Sequence, residues 1–244
     1  MPDDPRVESH VVRGPHGKLI DVHRPPEASP SAPTVLLWHG SGPDERDVLR
    51  PLARAVAAHG LPVFVPDWRS DAPDRGRAHL LDSLTFTRGQ AASHGGDPDR
   101  IVLAGWSASA PAAMGIALRP EAVDGWRTAA VVGIASRYDI PARTTGTSPT
   151  DDLAAPDAAA PVPVALVHGT DDTVLAVEHT RTFAAALGAR GWSVALAEPP
   201  TDHAGAVMTT YDPQAGRCVP ATGGHALDAG TLTARVIARA AGVR

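Results

Sequence analysis

Six short stretches of the chain are almost wholly apolar: TVLLW at residues 34–38, LPVFV at 61–65, RIVLAG at 100–105, AAVVGIA at 129–135, VPVALV at 162–167 and WSVALA at 192–197. A strand with one face in water alternates apolar and polar residues, whereas a strand covered on both faces does not. These runs therefore predict buried strands of a parallel sheet. Between them the apolar spacing lengthens to that of a helix. Residues 44–60 place Leu49, Leu52 and Val56 on one face, behind an acidic first turn and ahead of Gly60. Pro51 inside that stretch predicts a kink or a later start. Helical patterns also cover 76–96, 108–119, 175–191 and 226–241, and Pro111 falls in the first turn of the second of these four, where its missing N–H costs little.

Two partly alternating stretches open the chain, at 7–12 and 18–24, joined through Gly14, Pro15, His16 and Gly17. They predict a hairpin, with a loop at 25–33 after it. Residues 137–161 are rich in Ala, Pro, Thr and Asp, have no strong apolar period, and predict a surface loop or a minimal flap over the sheet edge. A hairpin followed by repeated strand and helix predicts an α/β architecture: a doubly covered, mostly parallel sheet of about eight strands with an antiparallel edge, in a single domain spanning 1–244.

Composition fits that picture. The chain of 244 residues is 43% hydrophobic and 20% charged, enough to bury a sizeable core. The net charge of -5, with no basic stripe, argues against a nucleic-acid partner. Cys218 is the only cysteine, so no intrachain disulfide forms. The first residues are polar and acidic, unlike a signal peptide, and no apolar run approaches the ~20 residues that span a bilayer. The expectation is a cytoplasmic protein without a membrane partner; its oligomeric state is open.

Ligands of an open parallel sheet collect at the carboxyl ends of the strands. The third strand delivers WHGSG (38–42) there, the fourth PDWRSD (66–71), the fifth Ser107, the seventh HGTDDTV (168–174) and the eighth PPTDHAG (199–205). A hydroxyl, an acidic pair and a histidine thus reach one rim. A serine becomes a nucleophile when a base takes its proton, and His203 is placed to do so. Asp171 and Asp172 both compete to orient the imidazole. Gly105 and Ser109 are small enough for the sharp strand-to-helix turn that projects a nucleophile. The backbone N–H of Ala108, with that of Ser41 or Gly42, would stabilise the oxyanion.

On the pieces WHGSG, GGDPDRIVLAGWSAS, VHGTDDTVL and TDHAG, the chain resembles the α/β-hydrolase family, in particular small, cap-poor esterases of the dienelactone-hydrolase and prolyl-oligopeptidase-like type. The resemblance runs from about Thr34 to the C-terminus. It implies Asp172 over Asp171 as the acid, His203 as the base and Ser41 in the oxyanion loop. It also leaves Asp139, after the sixth strand, as a further candidate acid, and His225 as a rival base. The family elbow reads Gly-x-Ser-x-Gly; here the last position is Ser109.

Trp106, Trp68 and Arg69 are candidate walls of a substrate pocket, with Arg69 suited to a carboxylate or else to a surface salt bridge. His39 and His168 are read as packing and hydrogen-bonding residues. With no His-Glu-x-x-His, cysteine cluster or glycine-rich phosphate loop, neither metal nor cofactor is expected. The expected activity is hydrolysis of a small-molecule carboxylic ester, lactone or thioester through an acyl-enzyme on Ser107. A peptidase, or a non-hydrolytic binding protein on the same scaffold, is the alternative.

Overall fold

A computed structural model of the chain describes residues 6–25, 31–156 and 159–243. Residues 26–30 of the expected 25–33 loop, and 157–158 of the expected 137–161 segment, lie outside the described residues.

Eight strands form the main sheet. They are β1 (Glu8–Arg13), β2 (Leu19–Arg24), β3 (Ala32–Trp38), β4 (Val63–Pro66), β5 (Gly96–Trp106), β6 (Ala130–Ile134), β7 (Val164–Val167) and β8 (Val194–Ala197). Their spatial order is β1-β2-β4-β3-β5-β6-β7-β8. From β4 to β8 all neighbours are parallel. Only β2 runs against its neighbours, pairing antiparallel with β1 and with β4. The expected hairpin thus supplies the antiparallel edge.

Five of the helices are α1 (Arg50–Ala57), α2 (Arg77–Gln90), α3 (Ala110–Leu118), α4 (Pro149–Ala154) and α5 (Glu178–Ala189). The last is α6 (His225–Ala240). They divide between the two faces of the sheet. Val35, Leu37, Val63, Val65, Val102, Ala104, Val132 and Ile134 point to one side, where Leu52 and Val56 of α1 and Ala234 and Ile237 of α6 meet them. Leu36, Trp38, Phe64, Ile101, Leu103, Val131 and Leu166 point to the other, against α2, α3 and α5. Successive residues of one strand enter different cores because side chains alternate across the sheet. Both faces of β3, β4, β6 and β7 are buried, so those strands read as unbroken apolar runs; β8, expected to be covered likewise, is the edge strand, and Ala195 and Leu196 are exposed.

Several boundaries moved, each for a local reason. The stretch 44–60 begins as a 3-10 turn (Arg46–Leu49) and becomes α1 only at Arg50, with Pro51 in its first turn. Pro62 and Pro163 have no N–H to give, and β4 and β7 begin just after them. β5 starts at Gly96, ahead of the apolar run, because Gly96 and Asp97 pair with Ala32 and Pro33. Within 137–161 lies α4, capped by Ser148, whose hydroxyl accepts from Asp151 N at 3.1 Å. This segment folds back onto α3: Thr144 Oγ1 donates to Ala112 O at 2.7 Å, and Asp152 takes Arg119 Nε at 2.9 Å. A second, two-stranded sheet, β9 (Thr209–Asp212) with β10 (Arg217–Pro220), was not foreseen.

Candidate active site

Ser107 occupies the turn between β5 and α3. Its φ is +54°, the left-handed region, while Trp106 before it is extended. That conformation costs a residue with a Cβ about 1–2 kcal/mol, and it swings the chain sharply from strand to helix. The turn leaves no room at Gly105: a Cβ there would stand 2.6 Å from the carbonyl group of Ser109. Ser109 fills the last position of the Gly-x-Ser-x-Gly pattern that the sequence resembles. Its buried hydroxyl donates to Trp38 O at 2.8 Å and Trp106 O at 3.0 Å, so the extra atoms are absorbed as a tie between β3 and the turn.

The loop after β3 comes close to this turn at Gly40, where a Cβ would lie 3.1 Å from the Trp106 ring and 3.4 Å from Ser107 Cβ. His39 holds the loop. Its Nδ1 faces Gly40 O at 2.9 Å, and Nε2 accepts from Glu45 N and Trp68 N, each at 3.2 Å. Burial lowers the His39 pKa to about 4, which keeps the ring neutral and able to accept. Arg46 braces the same loop from outside, bonded to Asp21 at 2.7 Å and Asp67 at 2.6 Å. The Gly42 N–H is taken by Ser70 Oγ at 3.1 Å. Among the described residues nothing takes the Ser41 N–H. Ala108 lies second in the 3-10 turn Ser107–Ser109 that leads into α3, so its N–H is one of the donors a helix start leaves unpaired.

The acid and the histidine meet where the loops after β7 and β8 run side by side. Strand pairing continues past both strand ends, with His168 N on Ala197 O, Thr170 N on Pro199 O and Asp171 N on Thr201 O, each at 3.0 Å. Gly169 permits this approach, since any Cβ would overlap Thr201 O. As a result His203 Nδ1 lies 2.7 Å from Asp172 Oδ2. The other oxygen of Asp172 accepts from Val174 N at 2.8 Å and Leu175 N at 2.9 Å. Burial pushes the Asp172 carboxyl up, but hydrogen bonds from His168, His203 and Leu175 outweigh it and hold the group well below the usual carboxylate range. Trp106 Nε1 donates to His203 O at 3.2 Å, and its ring lies 5.3 Å from the imidazole. The histidine loop is therefore tied to the residue preceding Ser107. The Ser107 hydroxyl itself has no hydrogen-bond partner among the described residues; the bond between nucleophile and base commonly tightens only when substrate is in place.

The competing candidates stand elsewhere. Asp171 is exposed, and among the described residues its side chain meets only Thr170 Oγ1, at 3.3 Å. Asp139 is held by Arg137 through bonds of 2.7 and 2.6 Å, which bring its pKa down to about 2. His225 is exposed at the start of α6. Two of the three pocket candidates have other duties. Trp68 is fully buried, with its indole N–H on His39 O at 3.1 Å, so it supports the loop from behind and offers no surface to a substrate. Arg69 makes the surface salt bridge, two bonds to Asp71 at 2.9 and 2.6 Å. Sequence reasoning missed the contact of His168 with Asp172, 3.2 Å apart; the shared His-Gly-x-x-Asp run was the available signal.

No family model matches the sequence, and no curated protein matches it. Solved structures do. Esterase 2 of Thermogutta terrifontis, phosphoramylated by tabun, is similar over 96% of this chain and 94% of its own, with a TM-score of 0.70 and 18% identity. The same esterase with butyrate bound is similar over 82% of this chain and 85% of its own, with a TM-score of 0.63 and 20% identity. Its form phosphorylated by paraoxon covers 82% of this chain and 84% of its own, with a TM-score of 0.63 and 20% identity. The chain has the α/β-hydrolase fold.

Proposed function

We propose that the protein is a serine hydrolase of carboxylic esters, with Ser107 as nucleophile, His203 as general base and Asp172 as the carboxylate that orients it. The observation that carries this reading is the 2.7 Å contact between His203 Nδ1 and a buried Asp172. A proton fixed on Nδ1 leaves Nε2 with a lone pair, and only that tautomer can accept the serine proton. The left-handed turn at Ser107 exposes the hydroxyl at the rim to which the imidazole loop is tied through Trp106.

In the reaction, Nε2 takes the Ser107 proton as Oγ attacks the ester carbonyl. Negative charge gathers on the carbonyl oxygen, where the N–H groups of Ser41 and Ala108 receive it. The imidazolium, stabilised by Asp172, returns the proton to the leaving alcohol, and an acyl-Ser107 ester remains. Water then attacks with His203 again as base, releasing the acid and restoring Ser107. Because 137–156 folds down on α3, no large lid is built from it, and short or exposed acyl groups are the favoured substrates; lactones and thioesters present the same electrophile. Support for an ester substrate also comes from the fold neighbour, an esterase with butyrate bound.

A panel of p-nitrophenyl esters of increasing acyl length tests this. Turnover should be greatest for acetate to butyrate and should vanish in Ser107→Ala. Undiminished turnover in that variant, or none in the wild type with any ester, overturns the proposal.

A further inference from the structure

His168, Thr180 and Ser136 are polar, buried and unused by the mechanism above. They are joined end to end. His168 Nε2 lies 3.2 Å from Asp172 Oδ2 and 2.9 Å from Leu175 O. Both neighbours are acceptors, so Nε2 carries a proton and donates it. Nδ1, left as the acceptor, lies 2.6 Å from Thr180 Oγ1, and the same hydroxyl, with one proton to give, lies 2.9 Å from Ser136 O. Ser136 Oγ donates to the carbonyl oxygen of Ser107 at 2.8 Å. The series begins on the acid and ends on the backbone of the nucleophile, crossing β7, α5, β6 and β5. Its turning point is strained. Ala135, directly before Ser136, has φ +48°, a conformation a residue with a Cβ adopts only when its surroundings impose it. Ala135 N is fixed there on Val167 O at 2.7 Å.

We propose that His168, itself held in place by Thr180 beside Ser136, is a positioning residue that sets both the place and the charge of the catalytic carboxylate. This rests on the esterase reading. One oxygen of Asp172 faces two imidazole nitrogens, His203 Nδ1 at 2.7 Å and His168 Nε2 at 3.2 Å, the latter nitrogen bonded to Leu175 O at 2.9 Å. The second donor stops the carboxylate from turning away. It also draws off part of the negative charge that would otherwise act on His203 alone. Without it, Asp172 stabilises protonated His203 more strongly, and the base is lost to protonation at higher pH. The sign is fixed: removing the His168 donor moves the acid limb of kcat/KM upwards.

Two pairs of variants test this. His168→Leu removes the donor, whereas His168→Gln carries an N–H to nearly the place of Nε2. Thr180→Val breaks the next link, and Thr180→Ser keeps it. Rates for p-nitrophenyl acetate are normalised to sites titrated with a fluorophosphonate, so that misfolded molecules do not count. His168→Leu should lower kcat about ten- to hundredfold, the loss of one hydrogen bond to a charged group, with KM within about twofold. Its acid limb should shift upwards, and His168→Gln should restore most of both. Thr180→Val should show the same pattern more weakly, with Thr180→Ser near wild type; this pair decides the matter if His168→Leu does not fold. Unmoved acid limbs and unchanged kcat per titrated site overturn the inference while leaving the esterase reading intact. Absence of labelling and turnover in the wild type overturns both.

Discussion

Replacing Asp172 by asparagine exchanges an oxygen for an NH2 and should nearly abolish the proposed activity, because the surroundings dictate which way the amide must face. Oδ1 accepts two backbone N–H groups, from Val174 at 2.8 Å and Leu175 at 2.9 Å. Backbone donors cannot become acceptors, so an amide NH2 at that position would meet two donors, a loss of several kcal/mol. The amide oxygen is therefore locked there, and the NH2 must point where Oδ2 now lies, at His203 Nδ1, 2.7 Å away; His168 Nε2, 3.2 Å from the same oxygen, keeps Leu175 O as its acceptor. His203 answers by placing its proton on Nε2, the atom that in the proposed reaction accepts from Ser107. In a serine triad this tautomer costs about 10⁴-fold in kcat, or about 5 kcal/mol of barrier. Stopped-flow and steady-state turnover of p-nitrophenyl acetate, per fluorophosphonate-titrated site, measures it. Asp172→Asn should fall by about three to four orders of magnitude with KM little changed. The neighbouring Asp171→Asn should stay within about twofold, since that side chain is exposed and, among the described residues, bonded only to Thr170. An Asp172→Asn enzyme within about tenfold of wild type would refute the reasoning.

Other outcomes follow from the same structure. His203→Ala should lose at least about 10³-fold in kcat, whereas His225→Ala, at an exposed helix start, should match wild type in the same assay. Folding stability should decline as pH falls from about 6.5 to about 4. Burial holds His39 and His23 at about 4, below the ordinary 6.5, so the unfolded chain binds protons that the folded one refuses. Stability is then full above 6.5 and is lost as pH falls towards 4, by up to about 3 kcal/mol for each ring. Urea midpoints measured across that range should fall, and a flat profile would contradict this. Ser109→Ala should cost about 1 kcal/mol by removing the donor to Trp38 O and Trp106 O, and calorimetry should show Tm lowered by about 2–4 °C.

What the sequence made legible was whatever depends on chain-local chemistry. Runs such as TVLLW and VPVALV declare strands covered on both faces, and β3 and β7 are fully buried. The Gly105 to Ser109 spacing declares the turn. The acid needed more than a run of residues: Asp171 and Asp172 are indistinguishable by composition, and only the pairing of the two loops across Gly169 turns Asp172 inwards. Trp68 and Arg69 follow a strand end, as a pocket wall would, yet the His39 carbonyl takes one and Asp71 the other. Such long-range partners leave no local trace. Nor does the β9–β10 hairpin, whose short strands, TTYD and RCVP, carry little apolar alternation.

The most direct measurement is to map the adduct. The protein is treated with a fluorophosphonate, digested, and the modified peptide sequenced by mass spectrometry. The modification should fall on Ser107 alone in the wild type, and its rate of formation should collapse in His203→Ala. Modification at another residue, or equally fast modification without His203, would contradict the claim that Ser107 is a nucleophile activated by this histidine.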